Sequence, residues 1–139
     1  MLGDPDPGVR RELARAWLDA PDTQAIEPLF LDPDPAVRGA LYAVRLLRGE
    51  WSEPPARYGV PPEDAMAALR DTLPVETLRE IARNDREGAR RQPAALALAV
   101  LRDEAAWTVM RTDPVWAIRD KVSRMLADGQ DAGEGRQPA

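Results

Sequence analysis

Apolar positions recur at helical spacing along most of the chain. Val9, Leu13 and Trp17 fall at i, i+4 and i+8, and Val37, Leu41, Val44 and Leu47 at i, i+4, i+7 and i+10. Ile118, Val122, Met125 and Leu126 make a last stripe. Each set lines one face of an amphipathic helix. Shorter stripes lie between them: Ile26, Leu29 and Phe30 in 23–31, Met66 and Leu69 in 63–70, Leu78, Ile81 and Ala82 in 75–83, and Trp107 and Met110 in 104–111. No segment alternates with period two and there is no Asn-Gly hairpin signal, so the pattern predicts helices and no strand. Residues 49–61 form the longest internal loop. Pro93 sits inside an apolar helical stretch and is expected to break or kink it. The polar, glycine-containing end predicts a disordered tail over 129–139, behind one domain over 1–128.

A phrase repeats. Asp4-Pro5-Asp6-Pro7-Gly8-Val9-Arg10 returns almost unchanged as Asp32-Pro33-Asp34-Pro35-Ala36-Val37-Arg38. Weaker copies are Asp113-Pro114-Val115-Trp116-Ala117-Ile118-Arg119 and Asn84-Asp85-Arg86-Glu87-Gly88-Ala89-Arg90. Read this way, successive starts are 28, 52 and 29 residues apart, within the range of helical repeats, with room for an extra unit around 52–83. In the two best copies an aspartate stands at the helix cap. A proline takes the first helical position, where its missing N–H costs nothing.

The phrase, followed by small and apolar residues at helical spacing, resembles the short HEAT-like repeats of the kind also seen in phycobilin lyases. The segments 73–85 and 107–119 are similar to the leucine-rich repeat variant, another helical repeat. The resemblance implies an all-α fold of about four helix pairs. These would stack into a short right-handed α-solenoid of HEAT/armadillo type. It also implies a structural ladder between neighbouring repeats, built from Asp4 with Arg10, Asp32 with Arg38, and Asp113 with Arg119; Asn84 departs from that pattern. Both families serve mainly as interaction scaffolds.

Composition narrows the chemistry. The 139 residues contain no cysteine and no histidine, which removes disulfides, thiol nucleophiles, imidazole metal sites and the serine–histidine triad. No metal site and no cofactor is expected. The paired acids Asp4/Asp6 and Asp32/Asp34 are read as helix caps rather than as metal ligands or an acid–base pair. The longest uncharged apolar run, 94–101, is far short of the roughly 20 residues of a membrane span. No signal peptide is evident, so the expectation is a cytoplasmic protein. Lys121 is the single lysine; with the abundant Ala and Pro, this arginine bias is read as a sign of a GC-rich bacterial genome.

Nineteen basic residues face 24 acidic ones, net −5, opposite in sign to a general nucleic-acid binder. The expected function is a non-catalytic scaffold that binds a protein or peptide on its curved or terminal face. Trp51 and Tyr58 sit on the proline-stiffened loop, as interface anchors or as a cover for the repeat junction. Trp116 stands where the second phrase has Pro35, and with Arg38 and Arg90 completes the candidate contact set. The uncovered first helix suggests contact with a partner or a second copy. Three alternatives stay open: nucleic-acid binding through Arg79, Arg83, Arg86, Arg90 and Arg91; a lyase-like protein holding a pigment or small ligand among the tryptophans; and an acidic, immunity-type inhibitor of a basic protein. Against the first, Glu76, Glu80, Asp85 and Glu87 interleave with the arginines and predict pairing on a solvated face.

Overall fold

The computed structural model of the chain describes residues 6–16 and 31–134, with side chains described to Ala127. Among the described residues the protein is all-helical. The helices are α1 (Pro7–Ala16), α2 (Pro35–Leu47), α3 (Pro62–Thr72), α4 (Val75–Asn84), α5 (Gly88–Val100), α6 (Glu104–Thr112) and α7 (Trp116–Glu134). A 3-10 turn, Pro55–Tyr58, interrupts the long loop before α3. Residues 23–30 of the helix expected over 23–31, Trp17 and Asp4 lie outside the described residues.

The helix starts obey the local chemistry of the sequence. Asp34 caps α2 by accepting the Ala36 N–H at 2.8 Å, with Pro35 at the first helical position. Asp6 accepts the Gly8 N–H at 2.9 Å ahead of α1, and Asp103 accepts the Ala105 N–H at 3.0 Å ahead of α6. Each satisfies a donor that the first turn leaves without an intrahelical partner.

Helices α2 and α5 are the centre of the molecule. Helix α2 packs against α1, α3 and α5, and α5 packs against α4, α6 and α7. Both are buried along most of their length, so both read as nearly continuous small and apolar residues rather than as narrow stripes. The core joins Tyr42 and Leu46 of α2, Leu96 and Leu98 of α5, Leu78 of α4, and Ile118, Val122 and Leu126 of α7. A smaller apolar contact joins Ala14 of α1 to Val37, Leu41 and Val44 of α2. Gly39 permits the close crossing of α2 and α3: a Cβ there would lie 2.7 Å from the Asp64 carbonyl oxygen.

Pro93 does not end its helix. Helix α5 runs through it to Val100. The ring is buried, beside Gly49 at the end of α2. The carbonyl deprived of its partner belongs to Ala89, an exposed residue. Helix α7 continues to Glu134, past the position where the sequence pattern predicts the tail to begin.

Helices α2 and α5 also end alike. The Gly49 N–H reaches the Leu46 carbonyl and the Glu50 N–H reaches that of Arg45; the Arg102 N–H reaches Ala99 and the Asp103 N–H reaches Leu98. Both are Schellman closures with a left-handed residue after the cap, Gly49 at φ 78° and Arg102 at φ 59°. Arg102 holds that conformation without being glycine. It donates to the Leu126 carbonyl at 2.8 Å and lies 5.6 Å from the Trp107 ring centre.

Candidate interaction site

The repeated phrase builds a repeated contact. Arg10 grips Asp32 with two hydrogen bonds, Nε to Oδ2 at 2.6 Å and Nη2 to Oδ1 at 3.1 Å. Arg91 grips Asp113 in the same manner, Nε to Oδ2 at 3.0 Å and Nη2 to Oδ1 at 3.3 Å. In each case the aspartate lies 22 residues after the arginine. Such forked pairs are directional as well as strong. The same aspartates shape the next helix start: Asp32 Oδ1 accepts the Asp34 N–H, and Asp113 Oδ1 accepts the Val115 N–H. The arginine Nη1 has a separate task. It donates to the backbone carbonyl six residues earlier in the chain: Arg38 to Asp32 at 2.7 Å, Arg91 to Asp85 at 3.0 Å, and Arg119 to Asp113 at 2.6 Å.

Two expectations are corrected by this geometry. The carboxylates of Asp32 and Asp113 are each held by an arginine from an earlier phrase, Arg10 and Arg91. Within their own phrases Arg38 and Arg119 meet the aspartate's backbone carbonyl and not its carboxylate, so Asp32 with Arg38 and Asp113 with Arg119 are not side-chain pairs. Asp4, and with it the pair Asp4 with Arg10, lies outside the described residues. The third phrase also starts one residue later than the sequence pattern suggests, at Asp85, with Arg91 and not Arg90 as its arginine. Asp85 Oδ1 accepts the Glu87 N–H at 2.9 Å, as Asp32 and Asp113 do for their own i+2 amides. Asn84 therefore leaves no gap, since it belongs to α4. The 28-residue interval carries the missing signal, because Asp85 precedes Asp113 by the interval that separates Asp4 from Asp32 (113 − 85 and 32 − 4). Ala89 hides it by offering a small residue at the place of Val37, while the true counterpart of Val37 is the exposed Arg90.

Burial by itself would raise the Asp32 carboxyl pKa. The hydrogen bonds from Arg10 and the Asp34 N–H, with the charges of Arg10 and Arg38, outweigh it and hold the group below its ordinary value. Between α4 and the start of α6, Arg79 forks onto Asp103, at 3.1 and 2.6 Å, and this contact holds Asp103 low against its partial burial.

Among the described residues the series of forks is interrupted at Arg38 and left open at Arg119. Among the described residues Arg38 has no aspartate across from it; its Nε donates to the carbonyl of Gly59, in the long loop, at 3.2 Å. Arg119 has the single bond to Asp113, and its Nε and Nη2 meet no acceptor among the described residues. Beside it Val115 and Trp116 are exposed, Trp116 by 69%.

The other candidate residues fall elsewhere. Trp51 and Tyr58 stack on each other, ring centres 4.0 Å apart and 5° from parallel. Both lean on Tyr42, whose hydroxyl donates to the Glu53 carbonyl at 2.8 Å. Arg45 lies over the Trp51 ring. Burial raises the pKa of both tyrosines. The loop rings are thus half-buried covers of α2. Arg90 is exposed and lies 3.3 Å from Asp85. Of the five clustered arginines, Arg79, Arg90 and Arg91 are engaged with carboxylates.

Shallow grooves cross the described surface, among them two that run between helices. One, of about 230 Å³, runs between α4, α5 and α6 past Arg79, Arg83, Thr108 and Thr112. The other, of about 350 Å³, runs between α1, α2 and α3 past Arg11, Arg15, Asp64 and Asp71. Both carry mixed charges, whereas small-molecule sites are usually apolar and enclosed. Among the described residues there is no group of three acids placed to hold a metal ion, and no helix is long and apolar enough to cross a membrane. Comparison of the chain with models of protein families, with curated proteins and with solved structures finds no match.

Proposed function

We propose that this chain is a non-catalytic protein-interaction module, a short α-solenoid of HEAT-like helix pairs that presents its surface to a protein or peptide partner. The observation that carries the reading is the repeated rung, with the same fork, the same 22-residue step and the same helix-start bonds at Arg10–Asp32 and Arg91–Asp113. Such regularity is the mark of units that stack on one another and leave a long face free. Most of the clustered arginines are spent on carboxylates, which weakens the case for a nucleic-acid surface.

The test is capture by the full chain from a lysate of its source cells, at low and moderate salt and with nuclease treatment. The module reading expects one protein retained under all conditions. Nucleic acid retained at low salt, lost steeply as salt rises, and with no protein partner, overturns it.

A further inference from the structure

We propose that the start of α7 is a docking site for a second copy of this chain, which seats its Asp4-Pro5-Asp6-Pro7 phrase on Arg119. The proposal rests on the reading of the chain as an interaction module and names one surface and one occupant.

Three observations converge on that surface. Arg119 is held as the rung arginines are. Its Nη1 bond to the Asp113 carbonyl matches those of Arg91 to Asp85 and Arg38 to Asp32. With Nη1 anchored, the Nε and Nη2 edge is the one that takes a carboxylate at Arg91, and at Arg119 it meets none among the described residues. A planar fork fixed in this way is matched to a carboxylate.

The second observation is the neighbouring pair Val115 and Trp116. The corresponding residues of the second phrase are Asp34 and Pro35, a side-chain cap and a helix-starting proline. The last phrase gives up the cap and exposes a tryptophan instead. Within the chain this substitution forfeits a helix-start contact. Across an interface it supplies an aromatic anchor beside a charged fork, the combination found at the energetic centres of protein contacts.

The third observation is the occupant's own sequence. The phrase 4–10 is nearly a duplicate of 32–38, whose aspartate does receive an arginine fork in this structure. Asp6 caps α1 as Asp34 caps α2, so the two helix starts are alike where both are described. A second copy thus brings to Arg119 the phrase that Arg10 already recognises. Because donor and acceptor surfaces differ, the contact is head-to-tail and adds copies in a row.

The test is sedimentation of the full chain over a concentration series, with Arg119→Ala, Asp4→Ala and their equimolar mixture. Wild type is expected to grow in mean mass beyond a dimer as concentration rises. Each single variant should associate roughly ten- to a hundred-fold more weakly while keeping a wild-type circular dichroism spectrum. The mixture should recover association but stop at the dimer, since each variant retains one competent end. A wild-type chain that stays monomeric throughout, variants that associate as wild type does, or a mixture that fails to dimerise would each overturn the proposal. A monomeric wild type that still retains its lysate partner leaves the module reading intact.

Discussion

Helices α2 and α5 are two copies of one design set in different surroundings. Each has 13 residues, comes after an aspartate-headed phrase, is buried along most of its length and ends in a Schellman closure. Arg38 and Arg91 stand at the same place in the two phrases and make the same Nη1 bond to a backbone carbonyl. They part at the other edge of the guanidinium, where Arg91 meets the buried carboxylate of Asp113 and Arg38 meets the carbonyl of Gly59. The difference arises in the stretch of chain that leads from each helix to the next phrase. After α5 the chain makes one helix, α6, and returns with a new phrase. After α2 it runs through the 49–61 loop and two helices before the next phrase begins. The phrase prepares the arginine, and the connection decides what it binds.

The sharpest test of that contrast is to truncate the two arginines in turn. Arg91→Ala leaves the Asp113 carboxylate buried and unpaired, and should cost about 3–5 kcal/mol in chemical denaturation. Arg38→Ala removes bonds to neutral carbonyls on a less buried side chain, and should cost on the order of 1 kcal/mol. Equal losses would mean that the aspartate adds nothing the loop carbonyl does not.

The helix ends give a smaller effect. Gly49→Ala forces a Cβ onto a left-handed residue and should lose about 1–2 kcal/mol in the same measurement, since Pro93 at 3.6 Å leaves room for the methyl group itself. Arg102→Gly relieves that strain at the other copy but gives up the bond to Leu126 and the Trp107 contact. Its net change should be smaller than that of Gly49→Ala, and a larger loss would show that the side-chain contacts outweigh the backbone conformation.

The smallest effect is a pH dependence. Asp32 and Asp103 are both held below the ordinary value of 3.8. A depressed carboxylate contributes stability above its unfolded pKa and loses it as pH falls through the folded one. The urea midpoint should therefore stay level through the weakly acid range and fall below about pH 4, with Asp103→Asn flattening part of the slope. A wild-type midpoint that holds level to about pH 2 would contradict the assignment.

Much of this organisation is written in short-range pattern. The stripes of α2 and α7 and the cap at Asp34 depend on neighbours within about a turn, so local pattern locates them. Pro93 is misleading in isolation because the cost of a helical proline depends on whether the orphaned carbonyl reaches water, which is a property of the packed surface. Trp51 and Tyr58 are equally ambiguous in sequence: a loop aromatic covers a core or offers itself to a partner according to what lies beneath it, and here Tyr42 does. The register of the third phrase is obscured by a local cue, Ala89, competing with a 28-residue interval.

The sequence alone determined that the protein is helical, where most helices start and stop, and that histidine and cysteine chemistry has no place in it. Tertiary structure alone decided which arginine holds which aspartate. Helix starts are settled by contacts within one turn. The rungs join residues 22 positions apart through two separate helix starts, and only the packing of α1 on α2 and of α5 on α7 brings those ends within hydrogen-bonding distance.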